Sequence, residues 1–267
     1  MQTRQMIKEA VAEDKTVRKR TGRVVAVTGG TRGVGLAIAQ LFASRGDHVA
    51  VCSRSAHEAS LPEEMLHVSA DVRGREAQRR FVETVVGRFG RLEVFVNCAG
   101  VYGWRALGDI DEAFAQDVVS TSALGTLWGC AAAAKAMRAG GSIINVSSLA
   151  GKRGSANNSA YCAAKFAVNG ITQALAKELG CRGIRVNAVC PGYVDTPQIM
   201  HALAGPASPA KGMRPDAYLA SFVATQTALG RIATPQEIAE VVYFLASPAA
   251  SAITGQCLNV DCGTFPQ

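Results

Sequence analysis

A single α/β domain built on a doubly wound, seven-stranded parallel sheet with helices on both faces is what this sequence predicts, and three observations carry the prediction. Short β-branched runs alternate with longer segments of helical period along most of the 267 residues. The strand segments read as continuous apolar runs, such as Val24-Val25-Ala26-Val27, which suits strands covered on both faces. The first of them runs directly into a glycine-rich turn and then a helical segment, the opening of a right-handed βαβ unit.

Taken in order, the pattern predicts strand 23 to 28, helix 33 to 45, strand 48 to 52, a third strand before Asp71, helix 74 to 90 and strand 92 to 96. It continues with a helix over about 111 to 138, strand 142 to 147, helix about 159 to 180, strand 184 to 189, helix 235 to 246 and strand 256 to 260. Residues 193 to 230 break the rhythm, carrying Pro197, Gly205, Pro206, Pro209, Gly212 and Pro215 and no clear strand. Long connections in compact domains are usually lids or binding loops, so this stretch is expected to be a substrate loop. The domain is expected to span 22 to 267, behind a basic arm at 1 to 21.

Composition narrows the function classes. At 48% hydrophobic and 18% charged residues the chain can bury a substantial core. It has no apolar run of membrane-spanning length and no secretory leader pattern, so a cytoplasmic protein without a membrane partner is expected. The eight cysteines form no C-x-x-C pair and mostly lie in apolar stretches, which favours reduced, buried thiols. Four scattered histidines without H-E-x-x-H give no reason to expect a metal. More than half of the net charge of +7 belongs to residues 1 to 23. Glu9, Glu13 and Asp14 are interspersed there, which fits a solvated helix or frayed leader better than a nucleic-acid-binding arm.

The glycine turn is Thr28-Gly29-Gly30-Thr31-Arg32-Gly33-Val34-Gly35. Glycines let the backbone approach a pyrophosphate closely, while the following helix N-terminus offers unpaired N–H donors and a positive dipole. The second strand ends in Ser53-Arg54 where an NAD-binding sheet normally offers a carboxylate to the ribose. With no carboxylate to repel a 2′-phosphate, and with Arg32 and Arg54 to grip one, the electrostatics favour NADP(H). Asp71-Val72, after the third strand, is placed to meet the adenine, and Asn97-Cys98-Ala99-Gly100 closes the fourth strand at the edge where ligands sit in such sheets. An Asx turn or helix cap is the plainer alternative for each.

Tyr161 and Lys165 stand at i and i+4, hence on one helix face. A neighbouring ammonium is expected to lower the phenol toward the range useful for general acid/base catalysis. Ser148 follows the strand ending near 147, where its hydroxyl can hydrogen-bond a carbonyl oxygen that gains charge.

Together these motifs make the chain resemble the short-chain dehydrogenase/reductase family over about residues 21 to 263. Thr28-Gly29-x-x-x-Gly33-x-Gly35, Asp71-Val72, Asn97-x-Ala99-Gly100, Ser148, Tyr161-x-x-x-Lys165, Pro191-Gly192 with Thr196, and Thr254-Gly255-Gln256 with Val260-Asp261 occur in the family's order. The resemblance implies a Rossmann fold, hydride transfer at a nicotinamide, Tyr161 as acid/base, Ser148 as carbonyl anchor and Lys165 as ribose ligand. It further implies that Val194 and Thr196 meet the nicotinamide carboxamide and that Arg32, with a basic residue after the second strand, marks an NADP(H) user. It also implies a homotetramer joined through the helices at 115 to 139 and 159 to 180.

Three positions depart from the family pattern. Ser122 stands where a fourth catalytic residue, an Asn, normally supports a proton-relaying water; Cys98 replaces the second Asn of Asn-Asn-Ala-Gly; and Cys262 replaces a glycine of Asp-Gly-Gly. Both cysteines are expected to be packing changes. The pocket wall is expected from Tyr102, Trp104, Leu149 to Arg153, Tyr193, Met200 and His201, for a mostly hydrophobic substrate. The first expectation is an NADPH-dependent ketoreductase resembling the 3-oxoacyl-carrier-protein reductases, acting on a free or carrier-bound carbonyl. The alternatives are an NADP(H)-dependent dehydrogenase of a secondary alcohol or sugar, and a non-catalytic NADP-binding sensor or scaffold.

Overall fold

The computed structural model describes residues 22–55, 61–62, 64–138 and 140–266, so the expected basic arm lies outside the described residues. Seven strands form one parallel sheet: β1 (Val24–Thr28), β2 (His48–Ser53), β3 (Leu66–Ser69), β4 (Val94–Asn97), β5 (Ser142–Val146), β6 (Arg185–Pro191) and β7 (Cys257–Val260). Their spatial order is β3-β2-β1-β4-β5-β6-β7. The order reverses direction between β1 and β4, which is where a doubly wound sheet opens a crevice at its carboxyl ends.

The apolar strands are buried on both faces, as their sequences require. In β1, Val25 and Val27 join Phe42, Val242 and Leu245 in one core cluster, while Val24 and Ala26 join Phe81, Phe95 and Val186 in the other. The first cluster is covered by α1 (Gly33–Ser44) and, late in the chain, the helix Pro235–Ala246. Helix α2 (Arg75–Phe89) covers the other face together with the two long helical segments of the chain's middle.

The helix expected over about 111 to 138 is two helices joined by a wider turn. α3 (Glu112–Val119) passes into a π-helical stretch at Ser120–Leu124 and then α4 (Gly125–Ala136). Helix α5 (Ser159–Leu179) carries the Tyr161 and Lys165 pair. The interval expected as a loop holds two helices, α6 (Pro197–Leu203) and α7 (Pro215–Gln226), before α8 (Pro235–Ala246). Pro197, Pro215 and Pro235 each stand at a helix start, where proline's missing N–H costs nothing and its fixed φ is already helical. Prolines that read as punctuation are thus initiators.

Polar side chains tie the central strands to α5. Asn97 Nδ2 donates to Asn145 Oδ1 at 2.9 Å, and Asn145 Nδ2 donates to Thr172 Oγ1 at 2.9 Å, with all three residues buried. Removing the middle member leaves buried donors and acceptors without partners. Asn145→Ala is therefore expected to cost about 2 kcal/mol or more of stability, measured as a shift in urea midpoint. A shift indistinguishable from zero would contradict the network's role.

Candidate active site

The carboxyl ends of the central strands open into one cavity of about 830 Å³. Its walls bring together the glycine turn, the ends of β2 and β4, Ser148, Tyr161, Lys165 and the start of the 193 to 230 interval.

The glycine turn is shaped by close approach. Gly29 and Gly33 have φ of +65° and +53°, a region that favours glycine. A Cβ on Gly29 would lie 2.9 Å from Ala99 Cα, and one on Gly35 would lie 2.2 Å from the Gly29 carbonyl oxygen. The N-terminus of α1 has no side-chain cap from Arg32 and no acid in its first turn, so its N–H donors and positive dipole end are kept for a ligand. Thr31, Arg32, Gly33, Val34 and Gly35 all line the cavity there. Gln198 Oε1 is buried without a hydrogen-bond partner and is the nearest atom to a Cβ built on Gly33, at 3.6 Å. An orphaned buried acceptor beside an open helix N-terminus fits a bound dinucleotide. Gln198 was not foreseen, because nothing in the sequence shows that α6 folds back over the glycine turn.

At the far end of this groove Ser53, Arg54, Asp71 and Val72 line the cavity. Ser53 Oγ donates to the Ser55 carbonyl at 2.6 Å and lies 3.0 Å from His67 Nε2. Asp71 is paired with Arg73 at 2.6 Å, and the hydrogen-bonded guanidinium holds its carboxyl below the usual range. Ala99 and Gly100 also line the cavity. The N–H groups of Cys98 and Ala99 both donate to Thr28 Oγ1, at 3.1 and 3.2 Å, fixing the end of β4 against β1. Asn97 does not reach the cavity, contrary to its expected place among the cofactor contacts. It is 3% exposed and spends its amide on Asn145, because its strand position turns the side chain into the core.

On the other side Pro191, Gly192, Val194 and Thr196 continue the wall, and Thr196 caps α6 by accepting from Ile199 N. Tyr102, Trp104 and Tyr193 also line it, as expected. They form an aromatic chain: Tyr102 to Tyr161 at 6.3 Å, Trp104 to Tyr193 at 6.4 Å and Tyr193 to Phe222 at 4.7 Å between centroids. Tyr218 and Phe222, on α7, extend it and could not be placed before that helix was known. His201 is a correction. Ile199 and Leu203 turn inward from α6, so His201 between them is exposed and lies outside the cavity wall.

A family model described as enoyl-(acyl carrier protein) reductase matches residues 29–264. A Streptomyces virginiae protein named as a monensin polyketide synthase ketoacyl reductase is 39% identical over 256 residues, covering 91% of this chain and 97% of that protein. The chain belongs to the short-chain dehydrogenase/reductase family. A Staphylococcus aureus diacetyl reductase, (S)-acetoin forming, is 36% identical, with 90% and 97% covered. Among solved structures, a variant of actinorhodin polyketide ketoreductase with NADPH superposes with a TM-score of 0.84 at 34% identity, covering 92% of this chain and 98% of that one. The protein is accordingly an oxidoreductase of the carbonyl/alcohol type in a family that binds nicotinamide cofactors.

Within this short-chain dehydrogenase/reductase site, burial dominates the electrostatics. Lys165 is 5% exposed, its Nζ donates to the Val146 carbonyl at 2.8 Å, and burial pulls it down to about 8. Tyr161 is pushed up to about 12 by burial, against a smaller lowering from its hydrogen bond with Ser148. The expected lowering of the phenol by Lys165 is therefore outweighed by desolvation among the chain's own groups; Nζ lies 5.7 Å from the ring centroid. Ser122 is buried, accepts from Val101 N at 3.4 Å and faces Gly100 across from the Lys165 ammonium. Among the described residues no helix is long and apolar enough to cross a membrane, and no group of His, Cys, Asp or Glu is arranged to hold a metal.

A lysine whose folded value lies below its unfolded one binds fewer protons folded than unfolded between the two, so stability rises with pH across that window. For Lys165 the window runs from about 8 to the ordinary 10.5, and the raised Tyr161 acts in the opposite direction only above 10. Relative to Lys165→Met, the parent is expected to gain about 1–2 kcal/mol between pH 7.5 and 9.5, read from urea midpoints. A difference that stays flat or falls with pH would refute the buried ammonium.

Proposed function

We propose that the protein reduces a ketone to a secondary alcohol with NADPH. The observation that carries this is the meeting of Ser148, Tyr161 and Lys165 in one cavity with the glycine turn and its open helix N-terminus. Gly29, Thr31, Arg32, Gly33, Val34 and Gly35 would hold the pyrophosphate, with Ala99, Gly100, Pro191, Gly192, Val194 and Thr196 along the nicotinamide half. Bound NADPH supplies a hydride equivalent to the carbonyl carbon.

The chain's own residues do the rest. Ser148 Oγ accepts from Ala150 N at 3.1 Å, which leaves its proton to donate to the substrate oxygen together with the Tyr161 phenol. A phenol pushed up to about 12 is fully protonated at neutral pH, the state a proton donor in carbonyl reduction needs. Lys165 at about 8 lies near the working pH and serves as the group through which Tyr161 is reprotonated and a ribose held.

The cofactor form is argued from charge. β2 ends in Ser53-Arg54 with no carboxylate, Arg32 and Arg54 both line the groove, and Asp71, the nearby acid, is offset by Arg73. That balance favours a 2′-phosphate. Relatives named for ketoacyl and diacetyl reduction support the reductive direction. We also read the protein as a cytoplasmic homotetramer, in keeping with the exposed Leu124 and Phe166 along the π-stretch and α5.

Tyr161→Phe is expected to lower kcat by at least a thousandfold while the variant still binds NADPH, followed by cofactor fluorescence. An unchanged rate would refute the assigned acid. In the parent, kcat/KM with NADPH is expected to exceed that with NADH by tenfold or more, and Arg54→Glu to reverse the order. Equal or better use of NADH by the parent would refute the cofactor assignment.

A further inference from the structure

The cavity has a second cationic end that carbonyl reduction does not use. Arg153, five residues past Ser148, lines the cavity and packs its guanidinium over the Phe265 ring at 5.0 Å. Stacking of this kind fixes the plane of the fork and leaves its N–H edges for a ligand. The charge also reaches the Tyr193 phenol, which it pulls down against the stronger upward push of burial. Arg73, Arg105 and Arg231 each have an Asp or Glu within 3 Å. Among the described residues Arg153 has no carboxylate partner. Lys211, on the connection between α6 and α7, adds a second positive side chain to the same cavity.

The platform under Arg153 is itself built with care. After β7 the chain turns back through Cys262 and Gly263, with φ of +54° and +78°. A Cβ on Gly263 would lie 2.5 Å from Ala228 Cβ, and a non-glycine residue at Cys262 costs about 1–2 kcal/mol in this conformation. Asp261 holds the turn by accepting from Gly263 N at 3.0 Å and Phe265 N at 2.8 Å, and Asn259 Nδ2 donates to the Phe265 carbonyl at 2.6 Å. The tail thereby brings Thr264 into the cavity wall and Phe265 beneath the guanidinium.

We propose that Arg153, set on Phe265, is a specificity residue that binds an oxyanion carried by the substrate, so that the ketones this enzyme selects bear a carboxylate or phosphate. Arg153 touches the ligand; Phe265 is a positioning residue. A guanidinium pairs with either anion through two parallel N–H bonds, and the aromatic wall of Trp104, Tyr193 and Phe222 takes the apolar body between anion and carbonyl. The proposal rests on the ketone-reduction reading for its substrate and on Arg153 for its selectivity.

The test compares three ketones of one chain length with NADPH: a neutral one, its ω-carboxylate and its ω-phosphate. The parent is expected to favour at least one anionic ketone over the neutral one by tenfold or more in kcat/KM, chiefly through KM. The better anion identifies the group. Arg153→Met, which keeps an apolar stem over Phe265, is expected to reduce that preference by about ten- to hundredfold, the usual worth of a charged hydrogen-bonded pair. Arg153→Lys should retain part of it, Phe265→Ala should lose part of it, and Phe265→Tyr should restore it. Calorimetric titration of the parent and Arg153→Met with the ω-carboxylated and ω-phosphorylated secondary alcohols reads the same contact without turnover. If no ketone is reduced but the parent binds an anionic alcohol at least tenfold more tightly than Arg153→Met, the ketone reading fails and the anion site stands. A parent indifferent to the anion, or an Arg153→Met that weakens neutral and anionic ligands equally, would overturn the site.

Discussion

The site depends on how closely α5 is pressed against the short turn that follows β5. The turn Leu149–Gly151 lies over the helix at Lys165, so tightly that a Cβ on Gly151 would be 2.6 Å from the Lys165 carbonyl oxygen. Ser147 Oγ donates to that same carbonyl at 3.3 Å, and Asn169 Nδ2 donates to the Gly151 carbonyl at 2.9 Å. Helix and turn are thus locked reciprocally, and the lock sets the register of Ser148 against Tyr161. It also buries the Lys165 ammonium beneath Val146, where water cannot offset its charge and its proton is held more weakly. Packing at one backbone contact therefore sets both the geometry of the pair and the order in which its members titrate.

Charge is distributed around the cavity with the same economy. Arg32 and Arg54 face the glycine-turn end, Lys165 the middle, and Arg153 the opposite end. The acid on the lining, Asp71, is paired with Arg73. A low-dielectric crevice with this balance raises the local concentration of anions. A dinucleotide phosphate at one end and an anionic substrate at the other meet the same field, while the aromatic chain from Tyr102 to Phe222 occupies the space between with groups that carry no charge.

The sheet was legible because parallel strands buried on both faces leave an unambiguous apolar signature, and the strand assignments hold to within one or two residues. The reacting residues were legible because their roles restrict their chemistry: a phenol and an ammonium one helical turn apart, a hydroxyl at a strand end, and glycines where backbones cross. Residues whose role depends on tertiary return of the chain were not. Gln198, Tyr218 and Phe222 enter the cavity only because α6 and α7 fold back over it, and both helices begin at prolines that equally well mark loops. Asn97 was misplaced for a related reason, since its motif position identifies the strand end but not which face its side chain takes. His201 failed on helical phase, which could not be set without knowing that Ile199 and Leu203 are the buried pair.

The departures from the family pattern show where backbone, more than side chain, sets the demand. Cys262 stands at a left-handed position, and this is a physical reason for the glycine usual there. Its thiol needs no redox role to account for it; the strain is borne by a tail that Asp261 and Asn259 hold in place. Ser122 lies within the π-helical stretch, where Ser120 bonds back to the Gln116 carbonyl and Thr126 to the Ser122 carbonyl. Widening the helix there presents the Ser122 hydroxyl to Val101 N, at the root of the loop that carries Tyr102 and Trp104. A shorter side chain at the asparagine position thus has a structural task on this page: it ties the α3 to α4 junction to the loop that walls the pocket, so the same substitution that alters the polar surroundings of Lys165 also helps to place the aromatic face against which a substrate must lie.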